Sequence, residues 1–87
     1  MDKPIIWNEL KSRRLKLTRG ASFEELLKGK LVGIGKNPAR INQRVYFIEY
    51  KNYIWAVPFV ISEAHIFLKT LYPSRKHTKI YREEGKL

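Results

Sequence analysis

The sequence predicts an α+β domain built from two short N-terminal helices, an antiparallel β-meander and a C-terminal helix. Three observations carry this. Capping signals bracket two helical stretches before Lys30. From Leu31 to Tyr72 the apolar residues recur with period two, the spacing of strands. A final proline-serine pair, Pro73-Ser74, then restarts a helical pattern. Runs of helices and runs of strands kept apart along the chain are the mark of the α+β class rather than of alternating βαβ units.

Taken in order, Asn8 caps the first helix, with Leu10, Leu15 and Leu17 as its apolar residues and Gly20 as a left-handed stop. Ser22 and Glu25 form a capping box that opens a second helix, FEELLK, which ends at Gly29. That structural duty accounts for Glu25, which is given no catalytic role. Leu31–Ile34 reads as a short strand, and Gly35 to Gln43, with Asn37-Pro38, as a loop. RVYFIEY (44–50) and YIWAVPFVI (53–61) read as a hairpin turning at Lys51-Asn52. Pro58 has no N–H to give a ladder, so its strand is expected to be at an edge or bulged there. A third long strand, AHIFLKTLY (64–72), is ended by Pro73, and Ser74 caps a last helix whose only aliphatic residue is Ile80.

Eighty-seven residues make one domain, spanning 1–87, with one modest core. Two Trp, five Tyr and four Phe help to fill it. No cysteine is present, which removes disulfides and thiolate metal sites. Two histidines and eight acids in no D-x-D or H-E-x-x-H pattern point to chemistry without a metal or other cofactor. No apolar run reaches the ~20 residues of a membrane span, and the first ten residues lack the apolar region of a signal peptide, so a cytoplasmic location is expected.

The net charge of +10 is the most informative number, because it is unevenly distributed. Lys11, Arg13, Arg14, Lys16 and Arg19 lie together with no acid among them, and Lys69, Arg75, Lys76 and Lys79 form a second acid-free group. Residues 31–63 carry four basic residues. Clustering of this kind predicts a polyanionic partner, most naturally RNA.

The candidate site residues cluster around the last cap. A helix N-terminus carries positive partial charge and unpaired N–H groups, so Arg75, Lys76 and His77 in its first turn conflict with the helix dipole unless an anion binds there. His77 is the group able to exchange a proton near neutral pH. Lys69 stands near the end of the last strand, on the face of His65, Phe67 and Leu71, and period two leaves open which face lines the core. Tyr72 can stack on a base and Tyr81 can exchange a phenolic proton or anchor the helix. Arg44, at a strand start, joins Lys11, Arg13, Arg14, Lys76 and Tyr72 as a candidate RNA contact.

Several of these segments, in series, resemble the BrnT-like toxins of the wider RelE/ParE-like superfamily. They are WNELK (7–11), RGASFEE (19–25), VPFV (57–60) and FLKTLYPSRK (67–76) followed by Tyr81. The similarity runs from Trp7 to Glu84. It departs from the usual BrnT pattern at Arg19, where histidine is common, and at Lys69-Thr70, where an arginine is usual. The resemblance implies a RelE-like fold and a type II toxin, a metal-independent endoribonuclease that blocks translation and is neutralised by a co-encoded antitoxin. On that reading Lys69 or Tyr81 transfers the proton and Arg75 meets the phosphate charge. The antitoxin is expected to be acidic, to cover the RNA groove, and to bury aromatics such as Trp55 or Tyr72 if they sit at its rim. A non-catalytic RNA-binding or ribosome-associated module, or a gyrase-poisoning toxin of the same fold, are the alternative readings.

Overall fold

Helix α1 (Glu9–Arg19) starts at Asn8, whose side chain accepts from the Lys11 N–H, and stops at Gly20, which adopts φ 95°. In the computed structural model, which describes residues 3–36 and 39–87, α2 (Phe23–Leu27) opens on the expected capping box. The Ser22 hydroxyl and Glu25 carboxylate each accept from the other's backbone N–H. Only Leu15 of the three α1 leucines is buried; Leu17 is 87% exposed. The inward stripe is completed instead by Ser12, whose hydroxyl accepts from the Phe23 N–H and donates to Glu24. A buried hydroxyl satisfied in both directions fills that position at little cost.

Strands β1 (Ile5–Ile6), β2 (Lys30–Lys36), β3 (Gln43–Tyr50), β4 (Tyr53–Ile61), β5 (Ile66–Leu68) and β6 (Tyr72–Pro73) form one sheet. Its order is β1-β5-β4-β3-β2, with β6 pairing on β4. The β3–β4 hairpin turns at Lys51 and Asn52, both at positive φ, as expected. Asn37-Pro38, expected in a loop, lies outside the described residues.

Three expectations are corrected. The sheet is mixed, because β1 pairs parallel to β5. Strand β2 runs on to Lys36, since Gly35 pairs with Val45 and Lys36 with Arg44. Gly35 marks a close approach rather than a loop: a Cβ there would meet the Phe47 ring at 3.1 Å. The third long strand is broken into β5 and β6, and Pro58 is the reason. It lies in the sheet's interior, not at an edge, and its carbonyl accepts from Lys69 N–H on the side of β5. The nitrogen faces that same side and has no hydrogen to give. Three steps of β4, from Phe59 to Ala56, are therefore matched by four in its partner, from Leu68 to Tyr72. This extra residue is why Leu68 and Leu71, three apart, are both buried.

The core lies on one face of the sheet, where Ile48, Trp55, Val57, Phe59 and Leu68 meet Leu15, Phe23 and Leu26 of α1 and α2. Helix α3 (Arg75–Glu83) lies on the other face. It is held by Thr78, whose buried hydroxyl accepts from Ile54 N–H and donates to Ser74 carbonyl. The molecule is thus three layers, α1/α2, sheet and α3.

Candidate functional site

Ser74, Arg75, Lys76 and His77 sit together at the N-terminal end of α3. Ser74 is buried, and its hydroxyl accepts from His77 N–H at 3.2 Å and hydrogen-bonds His77 Nδ1 at 2.9 Å. The imidazole lies flat on Phe47, with ring centroids 4.0 Å apart. Burial, and then the charge of Lys76, hold its pKa below the ordinary value of 6.5, so the ring is neutral near pH 7. Arg75 and Lys76 beside it are exposed, and the first turn of α3 contains no acid. Unpaired N–H groups, two free cations and a neutral imidazole thus share one surface.

Tyr81 follows one turn later on the same stripe as His77. Its hydroxyl donates to Val32 carbonyl at 3.2 Å, and a Cβ on Gly33 would lie 3.4 Å from that oxygen. The phenol anchors α3 to the free edge of the sheet. Tyr72 is 41% exposed and stands opposite Ala56, which itself pairs with Phe47. Cross-strand partners share a face, so Tyr72 stands on the His77 side of the sheet. Val45, Pro58, Val60 and Phe67 occupy the same face by register and stay half-buried. Lys69 is exposed where β5 breaks away from β4.

The other predicted contacts are elsewhere. Arg44 pairs with Phe59, a core residue, which places it on the α1/α2 side. Lys11, Arg13 and Arg14 belong to α1 on that side too. The sheet separates all four from His77. Trp55 is 9% exposed and packs in the core, so it is no rim anchor. Lys16 is paired with Glu25 at 2.8 Å.

Two residues were not picked out as site residues. Phe47 supports the imidazole; in the sequence it is one of several alternating aromatics, and only the fold sets it under α3. Arg19 crosses from the end of α1 to the β5–β6 connection, donating to Leu71 carbonyl at 2.6 Å and to Thr70 Oγ1 at 3.5 Å. The two positions where the chain departs from the BrnT pattern therefore meet in space. Among the described residues no group of three His, Cys, Asp or Glu could hold a metal, and no helix is long and apolar enough to cross a membrane.

The chain is an α+β domain with a mixed sheet, core helices on one side and a cationic helix end on the other. The solved structure of the Brucella abortus ribonuclease toxin BrnT superposes with a TM-score of 0.53 at 20% identity. The match covers 83% of this chain and 96% of that one. The likeness read from sequence segments is thus present in the fold. No family model matches the sequence, and no curated protein is significantly similar to it.

Proposed function

We propose that this protein is the toxin of a type II toxin–antitoxin pair, a metal-independent endoribonuclease acting at the N-terminal end of α3. The observation that carries the reading is the His77 environment. A neutral imidazole, fixed by Ser74 and Phe47, stands in a helix first turn whose only charges are the exposed cations Arg75 and Lys76. That set answers the needs of RNA cleavage by the neighbouring hydroxyl. The 2′-oxygen attacks phosphorus, the P–O5′ bond breaks, and the 2′-hydroxyl proton is removed while O5′ gains one. His77 exchanges protons. Arg75, the helix N–H groups and Lys69 meet the charge that builds on the phosphorane oxygens. Lys76 and Tyr72 hold the strand, Tyr72 by stacking on a base. Tyr81 keeps α3 in place through Val32 rather than entering the reaction.

The RNA target is cellular mRNA, and its cleavage stops translation until a co-encoded acidic antitoxin binds. The fold shared with the Brucella ribonuclease toxin supports this reading. Induced expression of the chain alone tests it. The expected result is growth arrest with fragmented RNA, reversed by the neighbouring reading frame. Intact RNA that still co-purifies with the protein would make the chain a binding module instead.

A further inference from the structure

The α1/α2 side of the molecule carries a second surface, across the sheet from the proposed cleavage site. Strand β2 is a free edge of the sheet, and Leu31 and Ile34 on it are 52% and 57% exposed. Both pair with residues of the core-side face, Leu31 with Ile48 and Ile34 with Tyr46. Beside them opens an apolar groove of about 170 Å³, lined by Leu26, Leu27, Leu31, Tyr46, Ile48 and Ile5. That volume is comparable with the ~150 Å³ cavity that takes up a benzene ring.

One end of this surface breaks a pairing rule. Lys36 and Arg44 stand directly opposite each other on the same face, one step of the alternation beyond Ile34 and Tyr46. Like charges opposed across a strand pair are unfavourable. Neither has an acidic partner among the described residues. Lys28 and Lys30 add exposed charge where α2 leads into β2.

We propose that this edge is a docking surface for an acidic, amphipathic segment of another protein, lying along β2 with aliphatic side chains in the groove and a carboxylate between Lys36 and Arg44. Three arguments select this occupant. A second copy is disfavoured by charge: the chain carries +10, and antiparallel pairing of two β2 edges would set Lys30 against Lys36. RNA is disfavoured by the floor, which is aliphatic apart from Tyr46. That ring already has one face stacked on Phe59 at 4.0 Å, so it offers a base at most half of the usual platform. A segment supplying carboxylates and aliphatic groups satisfies both halves of the surface, with main-chain pairing along the edge on either side of Val32, whose carbonyl already accepts from Tyr81. The surface lies across the sheet from His77, so its occupation does not depend on the ribonuclease reading.

The test is a library of short random peptides displayed on phage and selected against the full chain. The expected winners combine Asp or Glu with Leu, Ile or Val. Their affinity falls about tenfold or more for Leu31→Lys and for Lys36→Glu. Both positions are exposed, and an unchanged melting temperature confirms that each variant folds. The proposal is overturned if no peptide is enriched, or if the winners bind both variants as tightly as the parent. It is overturned equally if sedimentation shows a dimer that Leu31→Lys dissolves, which would make a second copy the occupant. Loss of affinity for a single-stranded RNA oligonucleotide in Lys36→Glu, with peptide affinity unchanged, would reassign the surface to RNA.

Discussion

His77 is where one side chain reports on fold and chemistry together. Its neutral form is favoured because the ring is partly buried on Phe47 and lies beside Lys76. The unfolded chain therefore binds a proton more readily than the folded one just below pH 6.5, the ring's ordinary value. Stability from this group is full above that pH and is lost as the pH falls toward the lower folded value. Denaturant titrations across pH 5 to 7 should show that loss in the parent chain and less of it in His77→Phe, which keeps the stack. Equal slopes in both would mean the imidazole is not held neutral. The conflict of Arg75, Lys76 and His77 with the helix dipole was legible in the sequence because cap and charge are neighbours in the chain. Phe47 was not, since its partner is thirty residues away and is chosen by the layer order.

At the scale of the element, α3 has almost no aliphatic surface to bury, and Ile80 is itself exposed. The helix is attached by polar contacts: Thr78 to Ile54, Ser74 to the same residue's carbonyl, and Tyr81 to Val32. Thr78→Val keeps the shape but leaves the buried Ile54 N–H unpaired. The expected cost is about 1–3 kcal/mol, read from the shift in denaturant midpoint. A neutral result would mean that water reaches Ile54 easily. The helices and the β3–β4 hairpin were readable because Asn8, Ser22, Ser74 and Lys51-Asn52 act locally. The β5–β6 break was not, because a missing N–H on Pro58 interrupts a strand that follows it in the chain. Parallel pairing of Ile5–Ile6 to Ile66–Phe67 was hidden for the same reason: two residues carry no periodicity, and their partners are 61 residues away.

At the scale of the whole molecule, the sheet divides the positive charge into two territories. Arg75 and Lys76 lie at the start of α3, with Lys69 proposed to join them from the β5–β6 break, while Lys11, Arg13, Arg14 and Arg44 belong to the α1/α2 side. Clustering along the sequence revealed the charge but not this division, which depends on which way each strand residue faces. The division has a measurable consequence in salt dependence. Three phosphate contacts on a single strand give a log–log slope of about −2, whereas all seven residues would give about −5. Titration of a labelled RNA over a range of salt concentrations should give the shallower value. The steeper one would mean that RNA wraps both layers, and a flat response would leave the charge with no part in RNA binding.

The central claim is that the first turn of α3 is a metal-free site of RNA cleavage. It is tested most directly by incubating purified protein with RNA in excess EDTA and determining the chemistry of the new ends, for the parent chain and for Arg75→Ala. Arg75 is exposed, so its truncation leaves the fold and melting temperature unchanged. The parent should leave 2′,3′-cyclic phosphate ends, and the variant should lose at least about a hundredfold in rate. Cleavage that EDTA abolishes, ends of another kind, or an Arg75→Ala protein as active as the parent would contradict it.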